Sequence, residues 1–242
     1  MTTIIRANGV IANPQPGGLL LPRLGVSGVV ARWHASGQGG PGAITTVKDV
    51  TGRGNDLPVT SGAVSVALVG GRPALDFGAA GAGNAASIAS IQGTNKKRSI
   101  AVLFQLAAFP AAASYMLATT NPAGNNCGIG VVYGNNRICT YGNAGATLSS
   151  GAPTALNTWI AAVGTFDDDA LQAGGNSSKI ANGSNIVEGS ITYAIPGTLA
   201  AFALRGNAAL APKFMDAAIF DRVLTNEEMG IVSAALLSQV AV

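Results

Sequence analysis

Three adjacent acids, Asp167, Asp168 and Asp169, are the side chains in this sequence most suggestive of acid–base chemistry. Most glycoside hydrolases cleave their substrate between two carboxylates about 5 to 10 Å apart. Asp167 and Asp169 would share one face if a strand continued past Phe166, but three neighbouring like charges are better tolerated in a solvated turn. Two of the three glutamates, Glu227 and Glu228, fall at a predicted helix start. The sequence therefore predicts no catalytic residue and a chain that is not an enzyme.

The same aspartates could bind a hard cation. Calcium takes six to eight oxygen ligands, and Asp167, Asp169 and Asn176 would supply only part of that set. We therefore predict no cofactor and name these three residues as the ligands that a calcium ion would use. His34 is the only histidine and there are only two cysteines, so neither a zinc site nor a Ser-His-Asp triad is expected.

The two cysteines flank a predicted hairpin, GIGVVYG followed by RICTYG, that turns at Asn135-Asn136. This register places Cys139 opposite Val132 and leaves Cys127 five residues away, about 17 Å along the strand, which exceeds disulfide reach. An odd offset also puts the two side chains on opposite faces. Both are predicted to be free thiols.

These side chains are positioned by short segments that are rich in β-branched and aromatic residues. Clusters of Gly, Asn, Pro and Ser separate the segments. They include 29–33, 63–69, 73–77, 99–106, 115–119, 128–134, 137–141, 158–166, 185–189, 199–204 and 213–220. This pattern predicts an all-β antiparallel sandwich. One helix is predicted at 226–238, because Thr225 and Glu228 form a capping box before an apolar stripe.

Several of these segments resemble the concanavalin A-like superfamily, and within it the laminin-G-like jelly-roll domain. The resemblance rests on VVARWHAS (29–36), VKDVTGRGND (47–56), GRPALDF (71–77), NTWIAAV (157–163) and KFMDAAIFDRVLTNEE (213–228), in that order. It implies one jelly-roll domain over 29–242. His34 and Lys48 stand where relatives often have Asp and Trp, so no ligand site is carried over. The loop from Asp49 to Asn55 has the residues of a tight turn, and Trp33 and Trp159 are predicted core anchors.

Residues 1–28 are rich in Pro and Gly and are predicted to form an extended N-terminal arm. The arm nonetheless carries apolar side chains, which we expect to dock on a partner: Ile4, Ile5, Val10, Ile11, Leu19, Leu20 and Leu21. Burying apolar area, at about 25 cal/mol per Å², could offset the entropy of ordering the arm.

The amino-acid composition favours some classes of function and argues against others. Only 10% of residues are charged, against about 25% in typical soluble domains, which suggests a surface covered by other subunits or wetted by neutral polar groups. The run Lys96-Lys97-Arg98 is interpreted as a solvated turn, so nucleic-acid binding is not expected, and no apolar run is long enough for a membrane span.

The first hypothesis is a structural, adhesive and non-catalytic component of a bacteriophage virion, such as a capsid decoration, head fibre or tail-associated protein. It would contact other virion proteins and copies of itself, with a cell-surface glycan as a further candidate partner, and would be made in the host cytoplasm without a signal peptide. The alternative is a carbohydrate-binding, lectin-like module of a bacterial protein. Against that alternative, aromatic residues make up only 5% of the chain.

Overall fold

Two antiparallel β-sheets stacked face to face form the protein, with one α-helix against the outside of one sheet. The structure is a computed structural model that describes residues 22–78, 85–88, 91, 97–111, 113, 115–120, 127–142, 147–172, 175–191, 201–206 and 210–241. The predicted all-β sandwich with a short C-terminal helix is confirmed.

The strands are numbered in chain order across both sheets. Sheet A contains β1 (Val29–His34), β2 (Gly42–Ile44), β5 (Val64–Val69), β6 (Arg72–Asp76), β8 (Lys97–Gln105), β13 (Ile160–Gln172), β14 (Gly175–Asn182), β15 (Asn185–Ile191) and β17 (Lys213–Phe220). Sheet B contains β3 (Thr46–Val47), β4 (Leu57–Ser61), β7 (Ala85–Ile88), β9 (Tyr115–Thr120), β10 (Cys127–Val131), β11 (Arg137–Tyr141), β12 (Thr147–Pro153) and β16 (Phe202–Arg205). A 3-10 turn spans Ala35–Gln38, and helix α1 spans Asn226–Ser238.

The order of sheet A is β15-β14-β13-β8-β17-β6-β5-β2, and β1 pairs with β17 beside β6. Sheet B runs β12-β11-β10-β9-β16-β7-β4-β3. Every pairing in the described residues is antiparallel, and strands adjacent in space are often distant in sequence, as in β8 between β13 and β17. This is the connectivity expected when the chain crosses between two sheets, and it agrees with the jelly-roll prediction.

Alternation along the strands divides the interior into two layers. On β8, Ile100, Val102 and Phe104 face the space between the sheets, whereas Ala101 and Leu103 face α1. Trp33 of sheet A stacks on Phe202 of sheet B, with ring centroids 4.6 Å apart and planes 5° from parallel. The prediction of a core anchor is therefore confirmed for Trp33 and is wrong for Trp159. Trp159 is only half-buried and packs on the helix side.

Helix α1 has the predicted bounds, 226–238. The Thr225 side chain accepts a hydrogen bond from the Glu228 backbone N–H, and the Glu228 carboxylate accepts one from the Thr225 N–H. Met229, Val232 and Leu236 then pack on the outer face of sheet A. At 13 residues, α1 is too short to span a bilayer, and no described helix meets the length and hydropathy of a membrane span.

The end of the predicted arm packs on the domain. Leu24 is buried and Val26 half-buried against the layer beneath α1. The seven apolar residues expected to dock on a partner, Ile4 to Leu21, lie outside the described residues. Their docking role stays a prediction.

The charged run does not form the predicted solvated turn at Lys97 and Arg98, and Lys96 lies outside the described residues. Lys97 and Arg98 both lie in β8, and the Arg98 side chain is fully buried. Arg98 faces the interior between the sheets, because it follows the same alternation as Ile100.

Candidate functional site

The loop from Asp49 to Asn55 is built for rigidity. Both carboxylate oxygens of Asp49 accept hydrogen bonds, from the backbone N–H of Arg32 at 3.1 Å and of Asn55 at 3.1 Å, and from the Thr51 hydroxyl at 2.8 Å. Gly52 and Gly54 have φ of 75° and 78°, a conformation that glycine adopts without steric cost. The predicted tight turn is confirmed, and it fixes the start of β1 through the Asn55 amide, which donates to the Val30 carbonyl at 3.0 Å.

A buried ionic cluster lies beneath the end of α1. The Arg32 guanidinium donates to both oxygens of Asp216, at 3.0 Å from Nε and 2.5 Å from a terminal nitrogen. The Gln239 amide donates to Asp216 at 2.8 Å, and its oxygen lies 3.0 Å from Nε2 of His34. Burial, the largest influence, lowers the pKa of His34 below 6.5. The cluster satisfies its own charges and ties β1, β17 and the C-terminal segment together, so its role is structural.

The predicted acidic triplet is not a solvated turn, because it lies within β13. Asp167 pairs in register with Ser177 of β14, and its carboxylate lies 3.5 Å from Lys97 Nζ. Asn176 pairs with Leu171 on the far side of a register shift. The side chains of Asp169 and Asn176 lie outside what the structure describes. In the described part of the chain, no group of three or more His, Cys, Asp or Glu side chains is arranged around a possible metal position.

Both cysteines are free and buried, as predicted. The hairpin register differs from the prediction: Cys139 pairs with Gly130, and Val131 pairs with Ile138. The loop therefore contains four residues, Tyr133 to Asn136, and not the two asparagines alone. The offset between the cysteines is three residues, still odd, so they face opposite sides of sheet B. Burial raises the pKa of the Cys139 thiol to about 12.

The four-residue hairpin loop presents the most accessible aromatic ring in the described residues. Tyr133 is 50% exposed, and the neighbouring β12–β13 loop adds Leu156 at 37%. Asn135 and Asn157 are also exposed. We refer to residues 132–137 and 154–158 as the Tyr133 platform. It combines an aromatic face with amide donors and acceptors, the chemistry that suits a sugar ring with one apolar face and hydroxyls around its edge.

The platform is held by its own backbone. The Asn136 carbonyl accepts hydrogen bonds from the Thr154 N–H at 2.9 Å and the Thr154 hydroxyl at 2.7 Å, which joins its two loops. The Arg137 N–H donates to the Asn135 side chain at 3.1 Å. Asn157 donates its N–H to the Leu106 carbonyl at 2.8 Å. A surface fixed in this way loses little conformational entropy on binding.

Sequence reasoning missed the platform because Tyr133 was included in a strand, where aromatic side chains are usually buried. A usable signal was present in Tyr-Gly-Asn-Asn-Arg. Gly134 and Asn136 have φ of 84° and 54°, and Gly and Asn are the residue types that tolerate such angles. A Gly and an Asn separated by one residue therefore indicate a hairpin loop of more than two residues.

Comparisons with known proteins find relatives by structure alone. No protein-family model matches the sequence, and no curated protein matches it. Trypanosoma rangeli sialidase matches with a TM-score of 0.61 at 14% identity, over 90% of this chain and 34% of the sialidase. A mutant of that sialidase displaying trans-sialidase activity matches with a TM-score of 0.61 at 15% identity, over 87% of this chain and 33% of the mutant. The botulinum neurotoxin serotype G binding domain matches with a TM-score of 0.62 at 13% identity, over 88% of this chain and 51% of that one.

These likenesses show a lectin-like β-sandwich fold. The chain spans about a third of the length of the sialidases and half that of the neurotoxin domain. At identities of 13% to 15%, the comparison shows the fold alone.

The prediction that the chain is not an enzyme is contradicted by this comparison, because proteins that share its fold are sialidases. The prediction relied on the absence of a carboxylate pair. That absence excludes only the hydrolases that use such a pair, whereas a tyrosine can act as the nucleophile in other glycosidases.

Proposed function

We propose that this domain is an attachment module that recognises glycans through the Tyr133 platform. The observation that carries the proposal is the exposed Tyr133 ring on a loop fixed by the Thr154–Asn136 hydrogen bonds. A tyrosine ring offers an apolar face on which a sugar can stack, and a loop that is already fixed needs little reordering when it does so.

The structural neighbours support a role in recognition. One is a receptor-binding domain of a botulinum neurotoxin, and the others are sialidases, one of them in complex with sialic acid. Proteins that share this fold thus include one that binds a receptor and one that binds a sugar. The proposal takes from these neighbours only the class of ligand, which is carbohydrate. It carries over none of their binding residues.

Glycan-array binding followed by calorimetry on the best ligand tests the proposal. Tyr133→Ala should weaken binding at least about tenfold, equivalent to about 1.4 kcal/mol, whereas Tyr133→Phe keeps the ring and should bind within a few-fold of the parent. Leu68→Ala is the matched control, because Leu68 is 58% exposed on β5 of the other sheet. Equal affinity of the parent and Tyr133→Ala, or the absence of any glycan ligand, would refute the proposal.

The same incubation shows whether a bound glycan is cleaved. Chromatography of the supernatant detects released sugars. Tyr133→Phe keeps the ring and removes the hydroxyl, so it should retain binding in either case but lose cleavage if the hydroxyl takes part in the reaction.

We also propose that the domain belongs to the laminin-G-like branch of the concanavalin A-like superfamily, because the five sequence segments given above resemble that branch. Location in a bacteriophage particle, with other virion proteins and copies of the chain as partners, stays a prediction supported by the low charge content. Co-sedimentation of the chain with purified particles is its test.

A further inference from the structure

Strained backbone positions are concentrated on the Tyr133 platform. In the described chain, twelve glycines and three other residues have a positive φ, and the three are Asn136 at 54°, Asn157 at 55° and Ala211 at 40°. Glycine adopts such angles without steric cost, whereas other residues are strained there, asparagine less than most. Strained positions cluster at functional sites, where a particular side chain is required. Two of the three belong to the platform, so their side chains are candidates for a role in binding.

Both asparagines occupy turn positions where glycine is the ordinary residue. Asn136 is the last residue of the four-residue hairpin loop. Asn157 is the third residue of a turn in which the Thr158 hydroxyl donates to the Ala155 carbonyl at 2.9 Å. A β-turn with positive φ at its third residue most often has glycine there. Glycine would therefore serve the backbone at both places, and the turns alone do not account for the asparagine side chains.

The fold uses the backbone of these two residues and not their side chains. The Asn136 carbonyl accepts hydrogen bonds and the Asn157 N–H donates one, but neither side-chain amide forms a hydrogen bond in the described part of the chain. Asn135 in the same loop differs, because its side-chain oxygen accepts from the Arg137 N–H. Asn157 is exposed and Asn136 is half-buried. Both amides are thus carried on a fixed backbone and are free to bind a ligand.

A carboxamide suits the hydroxyl groups of a sugar. Its nitrogen donates two hydrogen bonds and its oxygen accepts, while each hydroxyl can donate and accept. A hydroxyl that points in the wrong direction leaves the amide unpaired, which a binding site built on that bond penalises. The Tyr133 ring, by contrast, stacks on the apolar face of many different sugars. The ring would therefore supply affinity, and the amides would supply discrimination.

We propose that Asn136 and Asn157 are the specificity-determining residues of the Tyr133 platform, and that their side-chain amides select a hexopyranose by the orientation of its hydroxyl groups. This inference rests on the proposed glycan-binding function and adds the substrate class. Tyr133 binds the ring of the sugar, and the two asparagines distinguish one epimer from another.

NMR titration with the methyl glycosides of galactose, glucose and mannose tests the inference, because these neutral sugars differ in the orientation of single hydroxyls. The parent should bind the best of the three at least about tenfold more tightly than the worst. Asn136→Gly and Asn157→Gly should each reduce that ratio several-fold, by weakening the best ligand and leaving the worst nearly unchanged. Their urea midpoints should stay close to that of the parent, because glycine relieves the strained φ while it costs some chain entropy.

Ala211→Gly is the matched control. It also places glycine at a left-handed position, but it removes no polar side chain. It should leave the ratio of affinities unchanged. If it lowers the ratio as much as the asparagine variants do, the effect comes from the backbone and the inference fails.

The remaining outcomes separate the two proposals. Equal binding of the three glycosides by the parent, or discrimination that survives in both asparagine variants, refutes the inference, as does a sharp fall in their urea midpoints. If no methyl glycoside binds but the glycan array gives a ligand that Tyr133→Ala loses, the specificity inference fails and the platform still binds glycans. If the array is also blank, the glycan-binding function itself is lost.

Discussion

Replacing Asp216 is the most severe test of the buried ionic cluster. The Asp216 side chain is fully buried and that of Arg32 is 10% exposed. Asp216→Asn removes the charge that offsets Arg32 and leaves a buried guanidinium without its counter-ion. Such a break costs about 3–5 kcal/mol. For a domain of this size, about 2–4 °C of melting temperature is lost per kcal/mol, so the expected decrease is roughly 6–20 °C.

Urea denaturation of a double-mutant cycle separates the ion pair from simple loss of packing. Arg32→Met alone and Asp216→Leu alone should each destabilise the fold, because each leaves the partner charged, buried and unpaired. The double variant with Arg32→Met and Asp216→Leu should recover much of the loss, since apolar side chains can replace a buried pair with little net cost. Lys213→Met is the control on the same strand, where a longer and only half-buried pair with Asp76, at 3.6 Å, should contribute about 1 kcal/mol or less. Additive costs in the cycle would show that Arg32 and Asp216 are not energetically coupled and would refute the reasoning.

Two further predictions concern α1 and His34. Thr225→Ala removes the side chain that caps α1 and should cost about 1 kcal/mol, measured as a lower urea midpoint; an unchanged midpoint would mean that the cap contributes nothing. Because burial lowers the pKa of His34 below 6.5, the unfolded chain takes up this proton first as pH falls. Stability should therefore be full above pH 6.5 and decline below it toward the folded pKa. His34→Gln should remove that decline, and a parent protein whose midpoint does not change between neutral pH and mildly acidic pH would contradict the assignment.

The elements that sequence predicted well are those whose signals are local. The bounds of α1 follow from Thr225 and Glu228, which lie three residues apart and bond each other directly. Strand β17 was placed at 213–220, as found, because its long apolar run has turn residues on both sides. In these cases the side chains that decide the structure are neighbours in the chain.

The features that escaped prediction depend on contacts distant in sequence. Strand β14, with the sequence GNSSKIAN, has the composition of a turn, and it forms a strand because β13 and β15 pair with both its edges. Arg98 looked solvated beside two lysines, but its position in β8 places it between the sheets.

The contact between the segment before β1 and the start of α1 joins parts of the chain that are 195 residues apart in sequence. Arg222 donates to the Ser27 carbonyl at 3.1 Å, and Leu24 shares a buried layer with Met229. Neither the segment nor the helix can therefore leave sheet A without exposing apolar side chains of the other. The two should open together, as one cooperative unit.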